Sequence, residues 1–122
     1  MGLIPLDRKI NVYSTEEIKT TKIWIDGKPI YRKTFTIYNQ GSSDINRNIE
    51  TGLNNLDMIK FDLSNCFVKQ GSGYVTPPNY EADNNYFSVY IDPYKKPYIK
   101  ASANQAGNST FYITIEYTKT TD

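Results

Sequence analysis

Along Phe111-Tyr-Ile-Thr-Ile-Glu-Tyr-Thr118 the side chains alternate with a period of two, which only an extended strand presents as two separate faces. Phe111, Ile113, Ile115 and Tyr117 share one face, and Tyr112, Thr114, Glu116 and Thr118 share the other. The same period recurs upstream. In Lys22-Ile-Trp-Ile-Asp-Gly-Lys-Pro-Ile-Tyr-Arg-Lys-Thr-Phe-Thr-Ile-Tyr38, two apolar runs flank Asp26-Gly27, a dipeptide that tolerates the positive φ angles of a tight hairpin. Beyond it, Tyr31, Lys33, Phe35 and Ile37 fall on one face and Ile30, Arg32, Thr34 and Thr36 on the other. One packed and one wetted face are expected, with Lys33 out of place on the packed side.

Further strands are expected within Leu56 to Val68, where Ile59, Phe61 and Leu63 oppose Lys60, Asp62 and Ser64, and where Phe87, Val89 and Ile91 alternate before Pro93. Tyr98 to Ala103 makes another short strand. Gln40 to Asn55 reads as a long loop, because Gly, Ser, Asp and Asn leave only Ile45, Ile49 and Leu53 between them. Gly71-Ser-Gly73 breaks the chain, Pro77-Pro78 through Asn85 reads as a loop because proline gives the ladder no donor, and Asn104 to Asn108 reads as a connection. Ser14-Thr-Glu-Glu-Ile18 suggests one helical turn, with Ser14 capping the Glu17 amide and Glu17 capping back. Six or seven short strands describe an all-β chain, an antiparallel β-sandwich of jelly-roll-like type. At 122 residues, with no linker or repeat, residues 1–122 are expected to form a single domain. Its core is expected from Trp24, Phe35, Phe61, Phe87, Val89, Phe111 and Ile113.

The chain has no histidine, which removes the commonest general base, the usual activator of Ser or Cys nucleophiles and the commonest zinc ligand. The single cysteine, Cys66, can form no intrachain disulfide and reads as a buried structural thiol. Asp26, Glu50, Asp57, Asp62, Asp83 and Asp92 are scattered as surface carboxylates usually are, so a glycosidase pair is a minor alternative. Asp83-Asn-Asn85 starts like a calcium loop but lacks the ligand and glycine that should follow, and Gly71-Ser-Gly73 lacks the Lys-Ser or Lys-Thr of a phosphate loop. No metal, cofactor or catalytic residue is expected. Fourteen Lys and Arg against thirteen Asp and Glu give a formal charge of +1, which does not favour nucleic acid or acidic membranes. Tyr94-Lys-Lys-Pro-Tyr-Ile-Lys100 interleaves bases and aromatics, yet in so neutral a chain it reads as a solvated edge. Met1 to Lys9 has no apolar segment of signal-peptide length and nothing approaches a membrane span, so Asn108-Ser-Thr110 is a chance sequon.

The remaining signal is tyrosine, of which there are eleven. Tyrosine offers large, rigid, amphipathic contact area at small entropic cost. Tyr74, Tyr80, Tyr86 and Tyr94, around the Pro77-Pro78 segment, are the candidate partner or receptor contacts, although tyrosines so placed also cap cores or fill oligomer interfaces. Tyr90, Tyr112 and Thr114, opposite the expected core faces, are the candidate oligomer interface.

Tyr13-Ser-Thr-Glu-Glu17 followed by Trp24-Ile-Asp-Gly-Lys-Pro-Ile-Tyr-Arg-Lys-Thr34, and the closing Ile113-Thr-Ile-Glu-Tyr-Thr-Lys-Thr-Thr-Asp122, resemble a small domain of bacteriophage structural proteins. In that family the module ends tail-fibre, baseplate or head-fibre proteins, or stands alone as a short protein. The resemblance covers roughly the first third and last tenth of the chain and leaves Tyr38 to Thr110 unmatched. It implies a β-sandwich, no catalytic residue, and a virion protein of fibre or fibre-tip type made in the bacterial cytoplasm, possessing other virion proteins and a host-surface glycan or protein as partners. Met1 before Leu3-Ile-Pro-Leu6 suggests a stand-alone protein or the excised end of a longer fibre. A capsid decoration or head-fibre anchor is the alternative. Fibres need several chains about one axis, so a symmetric homo-oligomer, a trimer by the same resemblance, is expected.

Overall fold

The computed structural model describes residues 13–122 apart from 40, 42, 71, 72, 84 and 103–108. Its strands are β1 (Ile18–Ile23), β2 (Pro29–Asn39), β3 (Ile45–Asn48), β4 (Leu56–Phe61), β5 (Phe67–Gln70), β6 (Gly73–Val75), β7 (Asn79–Ala82), β8 (Asn85–Ile91), β9 (Pro97–Ala101) and β10 (Ser109–Lys119). They form two antiparallel sheets. The first runs β1-β2-β10-β5-β6 with β4 also on β10, and the second runs β3-β9-β8-β7. The expected all-β sandwich is the observed fold, while a jelly-roll winding is not established by this strand order.

The hub is β10, the run with the cleanest alternation. It pairs with β2 from Ser109↔Asn39 to Tyr117↔Tyr31, and its other edge is shared by β4, opposite Ile115 to Lys119, and β5, opposite Thr110 to Tyr112. Between β4 and β5 the chain leaves the sheet in a 3-10 turn, Leu63–Asn65, which splits the expected Leu56 to Val68 strand and leaves Leu63 exposed. Backbone groups of β10 opposite this gap still need partners. The Thr114 N–H donates to Cys66 Sγ at 3.3 Å, and the Asp62 N–H donates to the Thr114 carbonyl at 3.0 Å. Cys66 is therefore a buried ladder filler, and burial pushes its thiol pKa up to about 12.

Phe111, Ile113, Ile115 and Tyr117 face the second sheet and pack with Tyr31 and Val68 against Ile45, Phe87, Ile99 and Ala101. The Phe87 and Phe111 rings meet edge to face at 5.0 Å. Of the expected core, Phe87, Phe111 and Ile113 are fully buried, and Phe35, Phe61 and Val89 pack partly buried at its margin. Trp24 is half-buried and outside the core, because it opens the β1–β2 turn rather than lying in a strand. That turn is a three-residue loop. Gly27 N–H donates to the Trp24 carbonyl and Trp24 N–H to the Lys28 carbonyl, both at 2.9 Å, with Gly27 at φ 88° and Ile25 89% exposed.

The far face of the first sheet is not wetted as expected. Thr34, Thr114, Glu116 and Thr118 are all buried there, and the Thr34 and Thr114 hydroxyls share a hydrogen bond at 2.8 Å. Thr114, expected at an oligomer interface, is 0% exposed within its own chain and offers no contact surface.

Two expected loops contain strands. β3 pairs with β9 and buries Ile45, while β7 pairs with β8 directly after a cis Pro77–Pro78 bond. The expected Ser14 helical turn is instead a bend at Thr15 and Glu16 ahead of β1: Ser14 Oγ accepts the Glu16 N–H at 3.1 Å, and the Thr34 N–H donates to the Ser14 carbonyl at 2.8 Å. The expected Leu3 to Leu6 lead and the Asn104 to Asn108 connection lie outside the described residues.

Candidate functional site

Alternation in β8 sends Phe87 into the core and places Tyr86, Ser88 and Tyr90 on the outer face of the second sheet. Register adds neighbours from the flanking strands: Tyr80 of β7 lies opposite Tyr86, and Lys100 and Tyr98 of β9 lie opposite Ser88 and Tyr90. At one end of this face Tyr90 and Tyr98 stack at 4.8 Å, and the Tyr98 hydroxyl donates to Asn46 Oδ1 on β3. At the other end the Tyr80 hydroxyl donates to Asp83 Oδ1, while the Lys100 ammonium stands 5.9 Å from the Tyr86 ring centre. A groove of about 460 Å³ opens there, lined by Pro78, Tyr80, Asp83, Tyr86, Ser88 and Lys100. The bond to Asp83, with some desolvation, raises the Tyr80 pKa above its ordinary value.

Of the tyrosines singled out in the sequence, Tyr80 and Tyr86 meet in this groove and Tyr90 shares its face. Tyr74 lies on β6 in the other sheet, edge-on to Phe67 at 5.5 Å. Tyr112 stacks on that same Phe67 at 4.9 Å and is half-buried on the outer face of the first sheet. Tyr94, 82% exposed, tips the β8–β9 turn beside a separate opening of about 430 Å³ bounded by Asn48, Glu50, Asn54, Lys95 and Lys96. Ser88 and Lys100 were not anticipated, because strand alternation marks them as outward but says nothing of which outward residues become neighbours. A larger opening of about 610 Å³ between β2 and β3 is a seam between the sheets, lined by Phe35, Ile37, Tyr38, Arg47, Ile49 and Glu50.

The strongest charge cluster lies on the first sheet. Glu116, 1% exposed, accepts Lys22 Nζ at 2.5 Å, Arg32 Nη2 at 2.6 Å and Lys60 Nζ at 2.8 Å, and Arg32 also pairs with Asp62 at 2.9 Å. Burial alone would raise the Glu116 pKa, but the hydrogen bonds from Lys22, Lys60 and Arg32 outweigh it and hold the value at about 2. Asp57 pairs with Lys28, and Asp92 accepts backbone N–H groups of its own turn. Among the described residues, no three His, Cys, Asp or Glu side chains gather as a metal site would. Nor is any helix there long and apolar enough to cross a membrane. Set against known protein families, curated proteins and solved structures, the chain matches none.

Proposed function

We propose that this chain is a non-enzymatic binding and assembly module of a phage virion, of fibre or fibre-tip type, whose contact surface is the outer face of the second sheet. One observation supports the reading: the segments that resemble phage proteins all lie in the first sheet, which β4, β5 and β6 of the unmatched stretch complete, whereas none of these segments reaches the second sheet. Tyr13 to Glu17, Trp24 to Thr34 and Ile113 to Asp122 meet in the first sheet, where Glu17 accepts the Tyr117 hydroxyl at 2.5 Å, Arg32 holds Glu116, and Tyr31 stacks on Tyr117. These residues hold the sheet together and leave little free chemistry. The whole second sheet, with its groove and stacked tyrosines, comes from the unmatched stretch between them. A shared scaffold presenting a face particular to this chain is the division of labour expected of a fibre module.

Binding of the isolated domain to host cells, compared with binding to empty capsids, tests the reading. Cell binding lost on replacing Tyr80 and Tyr86 supports it; binding to capsids alone moves the protein to the capsid-decoration role. Self-association as a trimer belongs to the same proposal, with Tyr90 and Tyr112 as contacts. A monomer by light scattering at micromolar concentration overturns the trimer for this chain.

A further inference from the structure

We infer that the groove between Tyr80 and Tyr86 is a binding site for uncharged pyranose units of a glycan, an inference that rests on reading this face as the contact surface. Pyranoses are amphipathic discs, with a C–H face that packs on an aromatic ring and hydroxyls that need donors and acceptors around the rim. The groove supplies both. The Tyr80 and Tyr86 rings stand on directly opposed positions of β7 and β8, and Ser88, Asp83 and Lys100 add a hydroxyl, a carboxylate and an ammonium. Its volume, about 460 Å³, falls in the range of roughly 300–1,000 Å³ typical of small-molecule sites.

The charges decide the ligand class. One cation and one carboxylate line the groove, so their fields offset and neither an anionic nor a cationic ligand is favoured. A nucleic-acid strand would need a basic track along its phosphates, which a groove with one lysine does not provide. A peptide added as a strand would use the β7 edge, whereas this groove lies across the faces of β7, β8 and β9, where backbone groups are engaged in the ladder. The parts are also held in place. Tyr80 is tied to Asp83, which limits the ordering cost of binding, while Lys100 rests over Tyr86 through a cation–π contact that a ligand hydroxyl readily replaces.

Titration of the intact chain, followed by NMR and calorimetry, tests this with maltotetraose and chitotetraose as neutral probes and tetragalacturonate and oligo-dT as charged ones. A neutral probe is expected to shift groove resonances and bind at least about tenfold tighter than either charged probe. Replacing Tyr86 or Tyr80 with Ala is expected to weaken it about tenfold, as removal of a central aromatic contact does, with Y86F restoring binding and Y94A leaving it unchanged. Both alanine variants must keep the wild-type circular dichroism, and Y80A, at an exposed position, carries the test if Y86A fails to fold. The inference is overturned if neither neutral probe binds at tens of millimolar, if a charged probe binds tightest, or if Y80A and Y86A bind like wild type. Cell binding that survives such a result removes the sugar and keeps the contact surface. Loss of binding to cells and capsids alike would remove the surface reading itself.

Discussion

Glu116 sits at the centre of the first sheet's outer face with Lys22, Arg32 and Lys60 all directed at one carboxylate, and its energetics follow from that geometry. A buried charge without partners is costly, and removing one member of a buried ionic group leaves the others uncompensated. Glu116→Gln keeps the shape but removes the charge, and is expected to destabilise the fold by about 3–5 kcal/mol in urea titration. A loss under about 1 kcal/mol would show that water screens the cluster. The pH dependence has a definite sign. With a folded value of about 2 against 4.5 for the free group, Glu116 contributes stability that is complete above pH 4.5 and lost as pH falls towards 2. Glu17, Asp57 and Asp92 are lowered too, so acid weakens all four contacts in the same direction. Unfolding midpoints measured from pH 7 down to 2 should fall most steeply below pH 4.5. None of this was readable from the sequence. Glu116 looked like an outward strand residue, and only the register brings Lys60 and Arg32 to either side of it.

Two hairpins of the molecule share one turn geometry but not one turn residue. In β1–β2 the left-handed position is Gly27, at φ 88°. In β8–β9 the same pair of hydrogen bonds closes Asp92 to Lys96, but Lys95 occupies that position at φ 62°. An L-residue pays a steric cost there that glycine does not. Gly27→Ala is therefore expected to destabilise by about 1 kcal/mol through backbone strain alone, since nothing lies within 4 Å of the added methyl. Lys95→Gly is expected to stabilise by about 0.5 kcal/mol, provided Asp92 still caps the turn. Thermal melts of both variants check the opposite signs. The hairpin at Asp26-Gly27 was visible in the sequence because Gly announces it, whereas Lys95 gives no such signal. The same contrast holds among strands. β2, β8 and β10 were readable because each turns the apolar residues of an alternating run towards the core. β3 was missed because its Ile45 is followed by Asn, Arg and Asn, which read as turn residues until an edge strand sets them beside β9. β7 gives no strand signal in the sequence because Pro77 and Pro78, immediately before it, offer a ladder no donor.

For the molecule as a whole, the two sheets are joined where Phe87 of one meets Phe111 of the other. Phe87→Ala is expected to cost about 3–5 kcal/mol, and Phe61→Ala, at the margin of the core, distinctly less. Chemical denaturation of the two variants ranks them, and equal losses would show that the margin packs as tightly as the centre. The sandwich was readable at this scale because alternation reports burial, and the groove was readable only as far as Tyr80 and Tyr86 are tyrosines near a loop. The union of those two with Ser88 and Lys100 depends on which strands are neighbours, which no local pattern records. β10, the strand that completes the first sheet, lies furthest along the chain, so β2, β4 and β5 must wait for a distant segment before any of them gains its central partner. Loop closure comes before reward, which places folding in the slow, millisecond-to-second regime of non-local β-proteins. During that wait the β2 edge is open to the β10 of a neighbouring copy, so in crowded synthesis strand exchange between chains competes with closure within one.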